Sequence, residues 1–408
     1  MSDFTVNWLY NPVFPTEWTP SHLYELAKWT NGLAFKDVHF NNAGKPVIKI
    51  AEIKNGITEQ TGLTEQTFSP EIFVSGGDML FSWSGSPETS IDTVWWRGCE
   101  GWLNQHIFKV EPCGQVDRVF FYYILKYLKP QFIQIAKNKQ TTGLGHVTVA
   151  DLKAITVAFP PLPQQRAIAR VLGSLDDKIE CNRRMNATLE ELAQTHFRAL
   201  MATARTEDGA LRDGWREGAF GDIANNPRRG VQPQSTPPET PYIGLEHMPR
   251  KSITLDEHGS AENVGSQKFA YRQGEILFGK LRPYFHKVGI ALQSGVCSTD
   301  ILVVAPHDPR WQAFVLMVAS SAEFVEYTTG HSDGTRMPRT NWGDMSRFAT
   351  LLPPDAKAAK LQETIAPLLA KIKGNVEQNR TLAKLRDFLL PRILSGEITA
   401  QDALTEAD

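Results

Sequence analysis

An acidic residue followed downstream by Glu-x-Lys is a pattern with which many metal-dependent nucleases hold a divalent cation. This chain contains one such set, Asp37 and then Glu52-Ile53-Lys54. The pattern is short and recurs by chance. The chain also carries its own control, because much of its sequence occurs twice. In the second copy the Glu52 position is His247 and the Lys54 position is Pro249. Glu52 and Lys54 are therefore expected to be surface polar side chains at a strand end, with cleavage by Asp37, Glu52 and Lys54 as a minor alternative. Other catalytic constellations are missing from the sequence. There is no GxxxxGKS or GxxxxGKT and no GxGxxG to cradle phosphates, and no HExxH. Asn11-Pro12 and Asn226-Pro227 lack the following proline and aromatic with which amino-methyltransferases hold a target base. No metal site is expected.

Residues suited to nucleic acid are more numerous. Arg118 to Ala150 contains no acidic residue but holds Arg118, Lys126, Lys129, Lys137 and Lys139, which predicts a local positive surface. The loop that closes this stretch adds Asn138, Gln140, Thr141 and Thr142, which can bond phosphates and base edges. The matching loop in the second copy holds Thr335, Arg336, Arg339 and Thr340. A further cluster, Lys280, Arg282, Tyr284, His286 and Lys287, follows the strand GEILF. Its first-copy counterpart begins at Trp83 and Ser84. Arginine can read guanine with two parallel bonds, whereas lysine and threonine mostly position the backbone. The two copies thus share a frame and differ in exposed loops, which predicts two readers of different targets.

These loops need a frame to position them. Pro160 to Leu200 runs about forty residues with no proline after Pro163 and no glycine except Gly173. Ile168, Leu172, Leu175, Ile179, Asn182, Asn186, Leu189, Ala193, His196 and Leu200 recur at steps of four and three, the seam of a long helix packed on another. The partner lies 193 positions on: Leu361, Ile365, Leu368, Ile372, Asn375, Asn379, Leu382, Arg386, Leu389 and Ile393. Two asparagines fall at the same two places in each seam. Antiparallel pairing sets Asn182 and Asn186 against Asn379 and Asn375, and a slip would leave amides unpaired in an apolar seam. Pro367 and Pro391 are expected to kink or break the second helix.

The globular parts repeat in the same order. Pro46–Ile53 and Pro241–Met248 read as strands. GDMLF (Gly77–Phe81) matches GEILF (Gly274–Phe278). An apolar helix over Arg118–Ile135 is replaced by Trp311–Tyr327, Leu152–Phe159 reads as a short strand running into Pro160-Pro161, and Phe348–Pro354 matches Val157–Pro161. The expected organisation is a globule over 1–159, a helical spacer over 160–205, a globule over 206–354 and a helical spacer over 355–400. The fold class is mixed α/β (α+β), two globules in pseudo-twofold repeat separated by an antiparallel coiled coil. At 408 residues, with 41% hydrophobic and 22% charged residues, the chain can bury more than one core. The net charge of −2 confines any nucleic-acid affinity to local patches. Cys99, Cys113, Cys181 and Cys297 are scattered, which points to reduced thiols in a cytosol. No apolar run is long enough to span a membrane, and the N-terminus does not read as a secretory signal.

PPLPQQRAIARVLGSLDDKIECNRRMNATLEELAQTHF, the related NRTLAKLRDFLLPRILSGEI and the GDMLF and GEILF strands resemble the DNA specificity subunit of type I restriction-modification systems. The resemblance covers essentially the whole chain. It implies two target recognition domains, each reading one half of a split site in double-stranded DNA. It implies that the helices act as a ruler and dock two methyltransferase (modification) subunits, and that restriction subunits can join. It implies no catalysis and no cofactor on this chain, with S-adenosylmethionine on the modification subunits and ATP and Mg on the restriction subunit. The cytoplasm is the expected location. The rival from another class is a coiled-coil scaffold with two protein-binding globules and no DNA affinity.

Overall fold

The computed structural model describes residues 12–36, 38–140, 143–334 and 336–407. It divides into two compact units. One holds the chain up to Lys178 together with everything from Leu382 onward; the other is Ile179–Thr381. Both divisions fall inside long helices, Leu162–Ala202 and Asp355–Leu394.

In the first unit an antiparallel sheet runs Ala27–Asn31, Ile107–Pro112, Met79–Ser82, Asp92–Trp95. The strand Met79–Ser82 is buried along its whole length, which explains its unbroken apolar run. Gly77, at φ +96°, makes the turn into it, a conformation that costs glycine no Cβ clash. A second small sheet sets Lys45–Ile48 parallel to Gly101–Leu103, with Leu63–Thr64 and Phe73–Val74 on its two sides. The second unit repeats this plan. Ala224–Asn225, Ile301–Pro306, Ile276–Gly279 and Val288–Ile290 form the first sheet, and Gly274 repeats the turn at φ +88°. Pro241–Ile243 lies parallel to Gly295–Cys297 in the second sheet. Thr19–His22 pairs with Thr156–Phe159, and Arg216–Ala219 pairs in the same way with Ala349–Leu352.

Four sequence-based expectations change locally. Pro46–Ile53 is not one strand: it ends at Ile48, and Ile50–Asn55 is a helix whose first turn Glu52 caps by accepting from the Lys49 amide. The strand expected from Leu152 begins only at Thr156, because Thr148 and Asp151 form a reciprocal cap that starts a helix over Val149–Ala154. The single helix expected over Arg118–Ile135 is two, Arg118–Tyr127 and Lys129–Asn138, with Pro130 in the first turn of the second. Trp311–Tyr327 likewise divides into Gln312–Ala319 and Ala322–Gly330, where the Ser321 side chain caps the second helix.

The long helices pack against one another in opposite directions inside each unit. In the first, Ile168, Leu172 and Leu175 share a core with Leu389, Ile393 and Leu394. Asp176 meets Arg386 at 2.5 Å and accepts from the Tyr123 hydroxyl at 2.7 Å. In the second, Asn375 Nδ2 donates to Asn186 Oδ1 at 2.8 Å, while Asn182 Nδ2 donates to Asn379 Oδ1 at 2.9 Å and Gln378 Oε1 at 2.7 Å. His196 departs from the seam: it is exposed, and Phe197 packs on the core one position later. The expected break at Pro367 does not occur, and the helix also passes through Pro391. Both prolines lie on the exposed side, where water can satisfy the carbonyl each leaves without a donor, while Ile365 and Leu369 stay buried. Beyond Gly396, at φ +78°, a last helix Ala400–Ala407 brings Ala403 into the first unit's core. No helix among the described residues is long and apolar enough to cross a membrane.

Candidate nucleic-acid interface

In each unit the buried central strand delivers the chain to a meeting point of three segments. In the first unit these are Trp83–Gly85, the turn Asn104–His106 and Gly145–Val147. The Trp83 amide donates to the His106 carbonyl at 3.2 Å, and the Val147 amide donates to the Trp83 carbonyl at 2.8 Å. Ser84 and Gly85 pair antiparallel with His146 and Gly145. Trp83 is half-buried: its Nε1 donates to Asn31 Oδ1 at 3.1 Å, and its ring lies against His106 and Phe108.

In the second unit the same bonds recur on different residues. The Lys280 amide donates to the Asp300 carbonyl at 2.9 Å, and the Thr340 amide donates to the Lys280 carbonyl at 3.1 Å. Leu281 bridges to Arg339 as Ser84 pairs with His146. The cluster after GEILF and the loop at 336–340, distant in sequence, are thus brought together. The Arg282 amide adds a bond to the Pro338 carbonyl at 2.7 Å. Arg282 and His286 adopt left-handed backbone, φ +52° and +51°, which is costly for side chains with a Cβ. Tyr284 and Arg336 are exposed.

The second cluster is not uniformly outward. His286 turns inward, its Nε2 at 2.9 Å from the Ser320 carbonyl, and burial lowers its pKa. Lys287 Nζ donates to the Leu245 carbonyl at 2.6 Å; burial, then the nearby Arg250 charge, lower its pKa too. Thr340 is buried.

The positive surface expected over Arg118–Ala150 is largely matched by carboxylates from other segments. Lys126 and Lys129 both reach Asp92 at 2.7 Å. Burial works against the Asp92 charge, but these two lysines outweigh it and hold the carboxyl below its ordinary range. Lys137 meets Glu88 at 2.7 Å, and Lys139 meets Asp151 at 2.6 Å. Lys137 and Asn138 close a helix rather than opening a loop, and Asn138 accepts from Gln134. Gln140 is exposed. Arg118 lies over the Trp95 ring at 4.8 Å and donates to the Gly77 carbonyl. Counting charge along the sequence cannot see carboxylates supplied by the fold. Thr141, Thr142 and Thr335 lie outside the described residues.

Glu52 is not a surface residue at a strand end. It is buried, accepting from the Lys49 amide and the Thr61 hydroxyl, both at 3.0 Å. Lys54 donates to Ser90 at 3.3 Å, and burial lowers its pKa. Asp37 lies outside the described residues, and among those described no three His, Cys, Asp or Glu side chains gather as metal ligands.

The turn that completes each meeting point, Asn104–His106 and Ser298–Asp300, was not expected from sequence. A signal existed: GWLNQHI and GVCSTDI each place a glycine-led apolar strand before a polar three-residue turn.

Two copies of one mixed-sheet unit, long helices paired antiparallel and matched loops bearing different side chains define a duplicated recognition scaffold. Residues 15–191 match the family model described as the type I restriction modification DNA specificity domain. The chain is 23% identical over 338 residues to the type I restriction enzyme EcoDI specificity subunit of Escherichia coli, covering 73% of each. It is 22% identical over 324 residues to the MjaIX specificity subunit of Methanocaldococcus jannaschii, again 73% of each. Its fold is similar to the crystal structure of a type I restriction-modification S subunit from M. genitalium, with TM-score 0.53 and 15% identity over 95% of this chain and 97% of that one. The chain thus carries a match to that domain over residues 15–191 and is similar over 73% of its length to specificity subunits of type I restriction enzymes.

Proposed function

We propose that this chain is the sequence-reading subunit of a type I restriction-modification complex, each unit contacting one half of a two-part site in double-stranded DNA. The observation that carries this reading is the repeated three-segment meeting point. Identical backbone bonds hold Trp83, His106 and His146 in one unit and Lys280, Asp300 and Arg339 in the other. A shared frame with exchanged side chains suits two readers of different bases. In this reading Trp83, Ser84, Lys280, Arg282, Arg336 and Arg339 face DNA, while the paired lysines of the first unit contribute only where DNA displaces Glu88 or Asp151.

The long helices set the spacing between half-sites and dock two methyltransferase subunits. A helix of about 40 residues rises roughly 60 Å, and one turn of DNA advances about 34 Å. The asparagine layers, Asn182 with Asn379 and Asn186 with Asn375, hold the helices in register. S-adenosylmethionine belongs to the methyltransferase subunits, ATP and Mg to a restriction subunit, and the complex works in the cytoplasm. This chain supplies recognition and no catalysis. Long-read mapping of modified adenines in cells with and without the gene tests the reading. A two-part motif that is lost with the gene is expected; an unchanged methylation pattern would overturn it.

A further inference from the structure

Arg339 is an exposed arginine that the fold has already aimed. Its amide donates to the Asp333 carbonyl at 2.9 Å, and its carbonyl accepts from the Asp333 amide at 3.0 Å. Its Nε donates to Asp300 Oδ1 at 3.1 Å. Asp300 is itself fixed, its amide donating to Ser298 Oγ at 3.2 Å and its carbonyl accepting from Lys280. Yet the Arg339 side chain keeps 45% of its surface exposed. A free surface arginine loses much rotamer entropy when a ligand orders it. Here backbone and carboxylate have ordered it beforehand, the arrangement that turns contact into affinity and selectivity.

The surroundings agree with a built site. Arg282 is held in left-handed backbone beside it, and its Nε is buried without a partner among the described residues. Thr340 Oγ1 is in the same condition. Strain and unpaired buried polar atoms persist where neighbouring structure enforces them, and they gather at functional sites.

We infer that Arg339 reads a guanine in the second half-site and that Asp300 is the positioning residue that aims it; this rests on the recognition role proposed above. With Nε engaged by Asp300, the two terminal nitrogens present a planar fork that fits guanine O6 and N7 in the major groove. In the first unit the equivalent positions are His146 and His106, as the matching backbone bonds show. Neither offers such a fork, so the effect belongs to the second half-site alone. Arg336, exposed in the same loop and three positions before Arg339, suits a phosphate contact instead.

The test produces the full chain with its modification subunits in a host lacking adenine methylation and maps methylated adenines by long reads. Arg339→Lys keeps the charge and loses the fork, Asp300→Ala removes the brace, and Asp300→Asn keeps an acceptor for Nε. Arg339→Lys and Asp300→Ala are expected to relax one G·C position of the second half-site roughly ten- to hundredfold. Asp300→Asn restores part of the preference, and the first half-site, the spacer and the unfolding temperature stay unchanged. An unaltered motif in both Arg339→Lys and Asp300→Ala would overturn the inference. So would uniform weakening at every site in Arg339→Ala with the salt slope reduced by about one, the mark of a phosphate contact. A wild-type chain giving no two-part motif would overturn the recognition role itself, whereas a wild-type motif that the variants leave intact overturns only this pair.

Discussion

Replacing Arg386 by Met strands a carboxylate between two helices. Asp176, on the first long helix, has Arg386 at 2.5 Å and the Tyr123 hydroxyl at 2.7 Å, and its side chain is only 19% exposed. Arg386 is 24% exposed and also bonds Asp387, so the arginine has a second partner, whereas among the described residues Asp176 forms an ion pair with Arg386 alone. Removing one member of a buried pair costs about 3–5 kcal/mol. The residual exposure of Asp176 reduces this to roughly 2–3 kcal/mol, since water screens part of the bare charge. For a unit of about 200 residues this lowers the unfolding temperature by roughly 5–10 °C, at about 2–4 °C per kcal/mol. The triple variant Tyr123→Phe, Asp176→Leu, Arg386→Met removes every member, leaves no stranded polar atom and should return to within about 3 °C of the parent. Differential scanning calorimetry of the full chain reads both. A single variant that loses less than about 2 °C, or a triple variant as unstable as the single, would refute the reasoning.

Acid should act on the first unit through Asp92. Its folded-state pKa is depressed, so its contribution is present above the ordinary carboxylate value of 3.8 and is lost as pH falls through the folded value. Asp92→Asn should flatten the fall in unfolding temperature below the ordinary carboxylate value of 3.8; parallel curves would count against it. Glu190, buried on the first long helix, accepts from Ser252 Oγ at 2.8 Å and from the Ile253 and Thr254 amides at 3.1 Å. Glu190→Ala should cost about 2–4 kcal/mol and speed hydrogen exchange at those two amides, while unchanged exchange would mean that they are held without it. Deleting one matched heptad from both long helices removes about 10 Å of rise, roughly three base pairs of DNA. The methylated motif should keep both half-sites with a spacer shorter by about that amount, and an unchanged spacer would sink the ruler.

The long helices were legible because a seam with period near 3.5 survives in any context, and the paired asparagines marked its register before any contact was known. The buried strands Met79–Ser82 and Ile276–Gly279 were legible for a similar reason, as short apolar runs behind a glycine turn. Pro367 misled because a proline's effect depends on the face it occupies, and face is a tertiary property. The convergence of the candidate interface was half legible. Lys280, Arg282 and Arg339 could be picked out by residue type, but their convergence depends on backbone bonds across some sixty residues. The neutralising partners Asp92, Glu88 and Asp151 stood outside or at the edge of the basic stretch, where a running count of charge does not look. His286 has the right chemistry for a base contact, yet a left-handed backbone turns it toward Ser320.

The most direct test of two independent readers on one frame is an exchange of parts. Residues 206–354 are replaced by the corresponding segment of a relative with a different recognition site, and methylated adenines are mapped with the same modification subunits. The second half-site should become the donor's, with the first half-site and the spacer retained. A change in both half-sites, or in neither, would contradict the account.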